Sequence, residues 1–203
     1  MKIFVKFCCS LMLFILVACD SDPQQLTMLR PNDVLLAFGD SLTLGVGTEP
    51  ALSYPAQLNR LSGRKVINAG VSGETSAEGV RRLPALLDKY EPELVIICHG
   101  GNDLLRKLDR NELQSNLRNM FEAANQRNIA VVMLAVPHFD LLMNDAPLYK
   151  ELAEELNFPL LEKRLGEFLK DPQYKSDTVH LNAQGYRKLA EAVADLLYEN
   201  GAL

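Results

Sequence analysis

Tryptophan is absent from this sequence of 203 residues, which contains only three histidines and four cysteines. Cys8, Cys9 and Cys19 lie near the amino terminus, and only Cys98 lies farther along the chain, inside an apolar run. We therefore expect Cys98 to be a buried thiol, and we expect no intrachain disulfide. The histidines are scattered and have no cysteines beside them, so the sequence predicts no metal site.

An excess of basic charge is also missing. Lysine and arginine number 21 against 26 acidic residues, which gives a formal net charge of −5. Because no basic run is interleaved with aromatic residues, nucleic acid is not an expected partner. Gly45-Val46-Gly47 is the nearest approach to a phosphate-binding loop, but no complete dinucleotide or Walker pattern follows it. The G-x-S-x-G elbow of the α/β-hydrolases is absent too, and no cofactor is predicted.

The amino-terminal residues have the pattern of a secretory signal. Lys2 and Lys6 precede an apolar stretch that is too short to span a bilayer comfortably. The stretch ends in Leu16-Val17-Ala18-Cys19, which resembles the lipobox of bacterial lipoproteins. This resemblance implies cleavage before Cys19 and lipidation of its thiol. Ordinary cleavage to a free periplasmic protein, or an uncleaved anchor, is the alternative.

The chain is thereby divided into three parts. Residues 1–18 are predicted to be a lipoprotein signal peptide, residues 19–32 a polar tether that follows the lipidated cysteine, and residues 33–203 one domain. The predicted location is the bacterial periplasm, with a membrane anchor at Cys19. Asp20 resembles the signal that keeps lipoproteins at the inner membrane, so that membrane is somewhat favoured.

Short apolar runs alternate with longer amphipathic segments in the domain. The predicted strands are 34–38, 66–69, 94–98, 130–136 and a weaker 159–162. The predicted helices are 53–62, 75–90, 111–127, 147–156 and 184–198. Near-continuous hydrophobicity is typical of parallel strands that are covered on both faces. The alternation predicts an α/β fold, a doubly wound sandwich with a parallel sheet.

Polar segments follow the predicted strands. Gly39-Asp40-Ser41 follows the first, residues 70–74 the second, Gly100-Gly101-Asn102-Asp103 the third and Pro137-His138 the fourth. Asp177-Thr178-Val179-His180 comes just before the last helix. Ligands of such sheets bind beyond the carboxyl ends of the strands. The topology is therefore expected to collect these segments at one edge.

Three of these side chains form the set that a serine nucleophile needs. A serine becomes reactive at neutral pH when an imidazole accepts its proton and a carboxylate orients that imidazole. Ser41, His180 and Asp177 are the candidates. The backbone N–H of Ser41, the backbone N–H of Gly73 and the side-chain amide of Asn102 are the candidate donors to an oxyanion.

Taken in order, these segments resemble the SGNH hydrolases, also called GDSL esterases. The four family residues would be Ser41, Gly73, Asn102 and His180, and the resemblance covers about residues 33–198. It implies a three-layer α/β/α sandwich with five parallel strands, a Ser41–His180–Asp177 triad and an oxyanion hole formed by Ser41, Gly73 and Asn102. The run from Arg82 to Leu87 is similar to small bacterial periplasmic esterases with acyl-thioesterase, arylesterase and lysophospholipase activities.

Other polar residues near the motifs are interpreted as structural. Asp40 is expected to bond neighbouring loop N–H groups, and Asp103 and Glu74 to hold loops together. His99 is expected to be packed or bonded within its loop rather than catalytic. His138 could line the pocket.

The substrate is the least defined part of the prediction. Leu104 and Leu105 follow the third strand, and Pro137 and the loop from Phe139 to Met143 follow the fourth. We expect both loops to line an acyl groove, with Leu104, Leu105, Pro137 and Leu141 as the candidate pocket residues. They favour short- to medium-chain acyl esters, thioesters or lysophospholipids. One alternative is an O-acetyl glycan esterase, which the lack of tryptophan disfavours, and another is a non-catalytic binding lipoprotein. A monomer is expected.

Overall fold

The computed structural model describes residues 25–203, and these residues form an α/β sandwich around a five-stranded parallel sheet. The strands are β1 (Val34–Gly39), β2 (Lys65–Gly70), β3 (Leu94–Cys98), β4 (Ala130–Leu134) and β5 (Leu160–Leu161). The helices are α1 (Ser41–Leu44), α2 (Tyr54–Ser62), α3 (Ser76–Tyr90), α4 (Gly101–Leu105), α5 (Arg110–Asn125), α6 (Pro147–Leu156), α7 (Arg164–Lys170) and α8 (Ala183–Glu199). The α/β fold class is confirmed.

The strand order is β2-β1-β3-β4-β5, the flavodoxin-like arrangement. Gly39 at the end of β1 is in register with Gly70 at the end of β2 and with Cys98 at the end of β3. The carboxyl ends of three neighbouring strands therefore lie side by side. The loops that follow them are brought to one edge of the sheet, as the sequence predicts.

The core follows the apolar runs. Every residue of β3 is buried, and so are Leu35 to Gly39 of β1 and Val131 to Leu134 of β4. Strand β2 differs, because it lies at the sheet edge with Lys65 and Asn68 exposed. The prediction that every strand is covered on both faces holds only in part for β2, because Val66, Ile67 and Ala69 are partly buried against the core while Lys65 and Asn68 are exposed.

Each of the five predicted helices is found, with boundaries that differ by at most a few residues. Helices α1, α4 and α7 were not predicted from the sequence. They span four, five and seven residues, which is too short for a helical repeat of apolar positions to be recognised. Two of them, α1 and α4, begin directly at the edge where Ser41 and Asn102 lie.

Part of the predicted tether lies against the domain. The N–H groups of Leu26 and Leu29 donate to the carbonyls of Asn200 and Ala202, at 2.8 and 2.9 Å. Leu29 is buried in the core. The predicted signal peptide, Cys19 and Asp20 lie outside the described residues. Across residues 25–203, none of the helices combines the length and the apolar character needed to cross a bilayer.

Candidate active site

Ser41 lies at the first position of α1, in the sharp turn that follows β1. Asp40 caps this helix, because its Oδ1 accepts a hydrogen bond from the N–H of Leu42 at 3.0 Å. Gly39 lets β1 approach β3 closely, since a Cβ there would lie 2.1 Å from the carbonyl oxygen of Cys98. The turn is thus fixed from both sides, with Asp40 in the structural role that the sequence predicts. Burial raises the pKa of Asp40.

Asp177 and His180 share a tight loop before α8. The Oδ1 atom of Asp177 accepts the N–H groups of Val179 and His180, both at 2.8 Å. Its Oδ2 atom accepts a bond from Nδ1 of His180, also at 2.8 Å. Burial alone would raise the pKa of Asp177, but these hydrogen bonds, led by that from the imidazole, lower it below its ordinary value. The carboxylate is therefore held in its charged form, facing the imidazole.

The other nitrogen of the imidazole reaches Ser41. The hydroxyl of Ser41 can donate to Nε2 of His180 at 2.9 Å, across 139 residues of sequence. The Tyr186 hydroxyl joins the two regions by donating to the Val46 carbonyl at 2.8 Å. Helix α8 is thereby held against the loop that follows Ser41. The structure brings Ser41, His180 and Asp177 together in one chain of hydrogen bonds.

The predicted oxyanion donors lie around the same point. Ser41, Gly73 and Asn102 all line the cavity at Ser41. Neither the Ser41 N–H nor the Gly73 N–H donates a hydrogen bond to any residue between 25 and 203. The side-chain amide of Asn102 donates to the Glu74 carbonyl at 3.0 Å, and it also lies 3.4 Å from Oδ2 of Asp40. Two uncommitted N–H groups and an oriented amide can together stabilise negative charge on a bound oxygen.

The cavity beside Ser41 has a volume of about 130 Å³. Its apolar walls are formed by Leu42, Leu105, Phe139 and Val179. A larger cleft of about 230 Å³ lies elsewhere and includes Leu26, Phe121 and Phe158. That cleft is lined by no titratable side chain, and its one hydroxyl, that of Thr27, has no imidazole or carboxylate in the same lining. The cavity at Ser41 is therefore the better candidate for a reaction site, despite its smaller size.

Of the four predicted pocket residues, only Leu105 lines this cavity. Leu104 is partly buried and packs against the core, while Pro137 is buried and pairs with Asp145. The Leu141 side chain is 95% exposed. The structure therefore does not place Leu104, Pro137 or Leu141 in the cavity, because their side chains point into the core or into solvent.

Leu42, Phe139 and Val179 are wall residues that the four candidates do not include. Phe139 belongs to the loop after β4 that the sequence predicts to line the groove, and it is the residue of that loop that reaches the cavity. Val179 stands between the two residues of the Asp177–His180 motif, and an apolar residue at that position is the signal that could have indicated it. His138 does not line the cavity.

A polar cluster of buried Glu74 and His99 with half-buried Arg82 lies behind the site. The carboxylate of Glu74 pairs with the Arg82 guanidinium at 2.6 Å and with Nε2 of His99 at 3.1 Å. His99 is fully buried, so it is the packed histidine that the sequence predicts. The carboxylate of Asp103 accepts both the N–H and the hydroxyl of Ser76, which attaches the start of α3 to α4. These groups do not face the cavity; they support the loops that do.

Comparison with known proteins decides the family. The sequence profile of the GDSL-like Lipase/Acylhydrolase family matches residues 37–188. The chain belongs to this family. It is a carboxylic ester hydrolase of the GDSL type.

Two relatives illustrate the range of GDSL enzymes that the chain is similar to. Thioesterase 1/protease 1/lysophospholipase L1 of Escherichia coli strain K12 is 34% identical over 173 residues, which cover 81% of this chain and 83% of that protein. The arylesterase of Vibrio mimicus is 31% identical over 182 residues, covering 84% and 91%. The crystal structure of TesA matches with a TM-score of 0.73 and 29% identity, covering 83% of this chain and 99% of that one.

Family membership answers two of the questions that the sequence leaves open. The predicted SGNH fold is confirmed, and the protein is an enzyme. Neither of the two alternatives, an O-acetyl glycan esterase or a non-catalytic binding lipoprotein, is favoured by the relatives.

Proposed function

We propose that this GDSL hydrolase cleaves short- to medium-chain acyl esters, thioesters or lysophospholipids through a covalent acyl-enzyme on Ser41. The observation that carries the proposal is the unbroken series of contacts from Asp177 through His180 to the Ser41 hydroxyl. That series ends at a cavity with apolar walls and uncommitted N–H donors. Nucleophile, base and oxyanion donors are the parts that acyl transfer requires.

In the first half of the reaction, Oγ of Ser41 attacks the carbonyl carbon of the ester as Nε2 of His180 takes the serine proton. The carbonyl π electrons move onto oxygen, and the new negative charge is stabilised by the Ser41 and Gly73 N–H groups and the Asn102 amide. Collapse of this intermediate expels the alkoxide or thiolate, which receives the proton from His180. Asp177 holds Nδ1 protonated throughout, so that Nε2 is the basic nitrogen.

Water repeats the same steps on the acyl-enzyme. His180 takes a proton from water, the hydroxide attacks the acyl carbon, and the serine oxygen leaves with the proton that His180 returns. The products are a carboxylic acid and the free enzyme. The chain supplies every group in this sequence, so the proposal includes no cofactor.

The shape of the site supports an apolar acyl group. A cavity of about 130 Å³ holds a short chain, and its walls are Leu42, Leu105, Phe139 and Val179. A longer chain would extend past Leu105, which is 44% exposed, toward open solvent. The names of the relatives include thioesterase, lysophospholipase and arylesterase activities, which share an acyl group and differ in the leaving group.

The test is hydrolysis of p-nitrophenyl acetate, octanoate and palmitate by the purified protein, with Ser41→Ala as the control. We expect Ser41→Ala to abolish turnover and kcat/KM to be highest for the short or medium chains. If the wild type and Ser41→Ala were equally inactive, covalent catalysis at Ser41 would be excluded. An acetate-only profile would instead contradict the apolar acyl site.

We further propose that the protein is a monomeric periplasmic lipoprotein that is anchored to a membrane through Cys19. The lipobox-like run before Cys19 supports this proposal. Metabolic labelling with a fatty acid should mark the full-length protein and not Cys19→Ala, which should be released from membranes. Labelling of both proteins would contradict the assignment of Cys19.

A further inference from the structure

The Glu74–Arg82–His99 cluster behind the site has a defined hydrogen-bond pattern. The guanidinium of Arg82 donates through Nε to Oε1 of Glu74 at 2.7 Å and through Nη2 to Oε2 at 2.6 Å. Nε2 of His99 contacts the same Oε2 at 3.1 Å. The Glu74 side chain is 6% exposed and that of His99 is 0% exposed. The two-point contact with Arg82 fixes the orientation of the carboxylate as well as its charge.

The second nitrogen of His99 also has a hydrogen-bond partner. The N–H of Gly100 donates to Nδ1 of His99 at 3.0 Å, so Nδ1 is an acceptor. Nε2 can then donate to Glu74, and this contact joins the first residue after β3 to the loop after β2.

Arg82 extends the same connection to β1 and β2. Its Nη2 atom donates to the carbonyl of Ala69 in β2 at 3.0 Å. Its guanidinium lies 4.4 Å from the ring centroid of Phe38 in β1. One side chain from α3 thus contacts two strands near their carboxyl ends, and through Glu74 and His99 it is linked to a third.

Packing leaves the cluster little freedom. Gly79 of α3 lies against His99, and a Cβ at that position would be 2.4 Å from its Nε2 atom. The Phe38 ring also packs against the imidazole of His99, with 5.6 Å between the ring centroids. Because close packing restricts the movement of the imidazole, the groups that it bonds are held in place as well.

The cluster reaches the oxyanion donors through the main chain of Glu74. Its carbonyl accepts the hydrogen bond from the Asn102 amide, and the residue before it is Gly73. We propose that Glu74, Arg82 and His99 are positioning residues, which set the geometry of the Asn102 amide donor for ester hydrolysis. This inference rests on the proposed function of that donor.

A double-mutant cycle between Arg82 and Asn102 tests the connection. Arg82→Met should lower kcat for a p-nitrophenyl ester roughly 10-fold or more and change KM by less than about threefold, because the donors act mainly in the transition state. In an Asn102→Ala background the same substitution should lower kcat less than about threefold. Equal factors in both backgrounds would overturn the proposal, since a general loss of structure does not depend on Asn102.

Two further variants test whether misfolding, and not the loss of positioning, causes the lower kcat of Arg82→Met. Arg82→Lys keeps the charge and loses the two-point contact, so we expect a loss of kcat intermediate between wild type and Arg82→Met. Arg118→Met breaks a similar two-point pair with Glu155 on the surface between α5 and α6. It should leave kcat unchanged. A loss in Arg118→Met equal to that in Arg82→Met would contradict a specific role for the cluster.

The side-chain amide of Asn102 gives a readout that needs no turnover. Its NMR signals, identified by their loss in Asn102→Ala, should shift in Arg82→Met and stay in place in Arg118→Met. If they do not move in Arg82→Met, the cluster does not position the amide and the proposal fails. A wild type without esterase activity would contradict the proposed function, and the amide shifts would still decide the positioning role.

Discussion

At the scale of single residues, Asp177 does two tasks with two oxygens. Oδ1 shapes the loop by accepting two N–H groups, and Oδ2 holds the imidazole of His180. The hydrogen bonds that lower its pKa are the same ones that fix the loop. Because the two tasks use different atoms, an amide at this position can perform only one of them correctly.

Asp177→Asn should therefore lower kcat roughly 10²- to 10⁴-fold with the fold intact. If the amide oxygen keeps the loop contacts, its NH₂ group faces Nδ1 of His180. The imidazole must then accept at Nδ1 and carry its proton on Nε2, where it cannot take the Ser41 proton. His180→Ala and Ser41→Ala should cost more. Steady-state kinetics with circular dichroism checks the order, and wild-type kcat in Asp177→Asn would exclude the proposed role.

Glu74 provides a prediction about acid stability. Burial alone would raise the pKa of Glu74, but hydrogen bonds from Arg82 and His99 lower it from the ordinary 4.5 to about 2. As pH falls, Glu74 is therefore protonated in the unfolded chain before it is protonated in the folded protein. The stability from this carboxylate is complete above about pH 5 and is lost progressively toward pH 2.

The measurable consequence is the difference in unfolding free energy between wild type and Glu74→Gln. We expect it to be larger at pH 7 than at pH 3, with a change of roughly 2 kcal/mol in urea titrations. Glu155→Gln, in the exposed pair with Arg118, should show a much smaller pH dependence because solvent screens that pair. A pH-independent difference for Glu74→Gln would show that its charge does not contribute.

At the scale of elements, the junction between β3 and α4 depends on a glycine. Gly100 has φ +104°, and a Cβ there would lie 2.5 Å from the Tyr149 hydroxyl and 2.8 Å from Leu113. That hydroxyl donates to the His99 carbonyl at 2.6 Å. The conformation of Gly100 lets the chain leave the strand and begin the helix that carries Asn102.

Gly100→Ala should destabilise the fold by roughly 2–4 kcal/mol, because strain and overlap add. Gly63→Ala is the matched control, since Gly63 also has positive φ (+65°) but nothing lies within 4 Å of its Cβ position. It should cost about 1 kcal/mol. Thermal and urea unfolding give both values, and equal costs would show that the contact with Tyr149 does not matter.

At the scale of the whole molecule, the two ends of the described chain meet. Leu26 and Leu29 bond to the carbonyls of residues 200 and 202, and Ala202 is buried with Leu29. The segment before β1 therefore contributes to the folded domain. Residue 33, the boundary that the sequence predicts, marks where the pattern of apolar and polar residues changes and not where the folded structure begins.

Leu29→Ala should accordingly destabilise the domain by about 2–4 kcal/mol through a cavity in the core. The neighbouring Met28 is 62% exposed, so Met28→Ala should change stability by less than about 0.5 kcal/mol. Urea unfolding of the two variants gives the comparison. Similar small effects for both would mean that the segment is not an integral part of the core.

The sequence alone determined the layers, the strand-bearing runs and the polar loops at the carboxyl edge. The apolar runs at β1, β3 and β4 predict the sheet because buried parallel strands need side chains that are apolar on both faces. The motifs around Ser41, Gly73, Asn102 and His180 identify the family because their order and loop positions are specific together.

Only the tertiary structure decided which side chains face the cavity. Leu104, Leu105 and Leu141 look alike in the sequence, yet one packs in the core, one lines the cavity and one points into solvent. The Glu74–Arg82–His99 cluster is likewise invisible in the sequence, since its members come from a loop, a helix and a strand end. Patterns of polarity record whether a residue is buried, but the partner of a buried charge is fixed by the packing of distant segments.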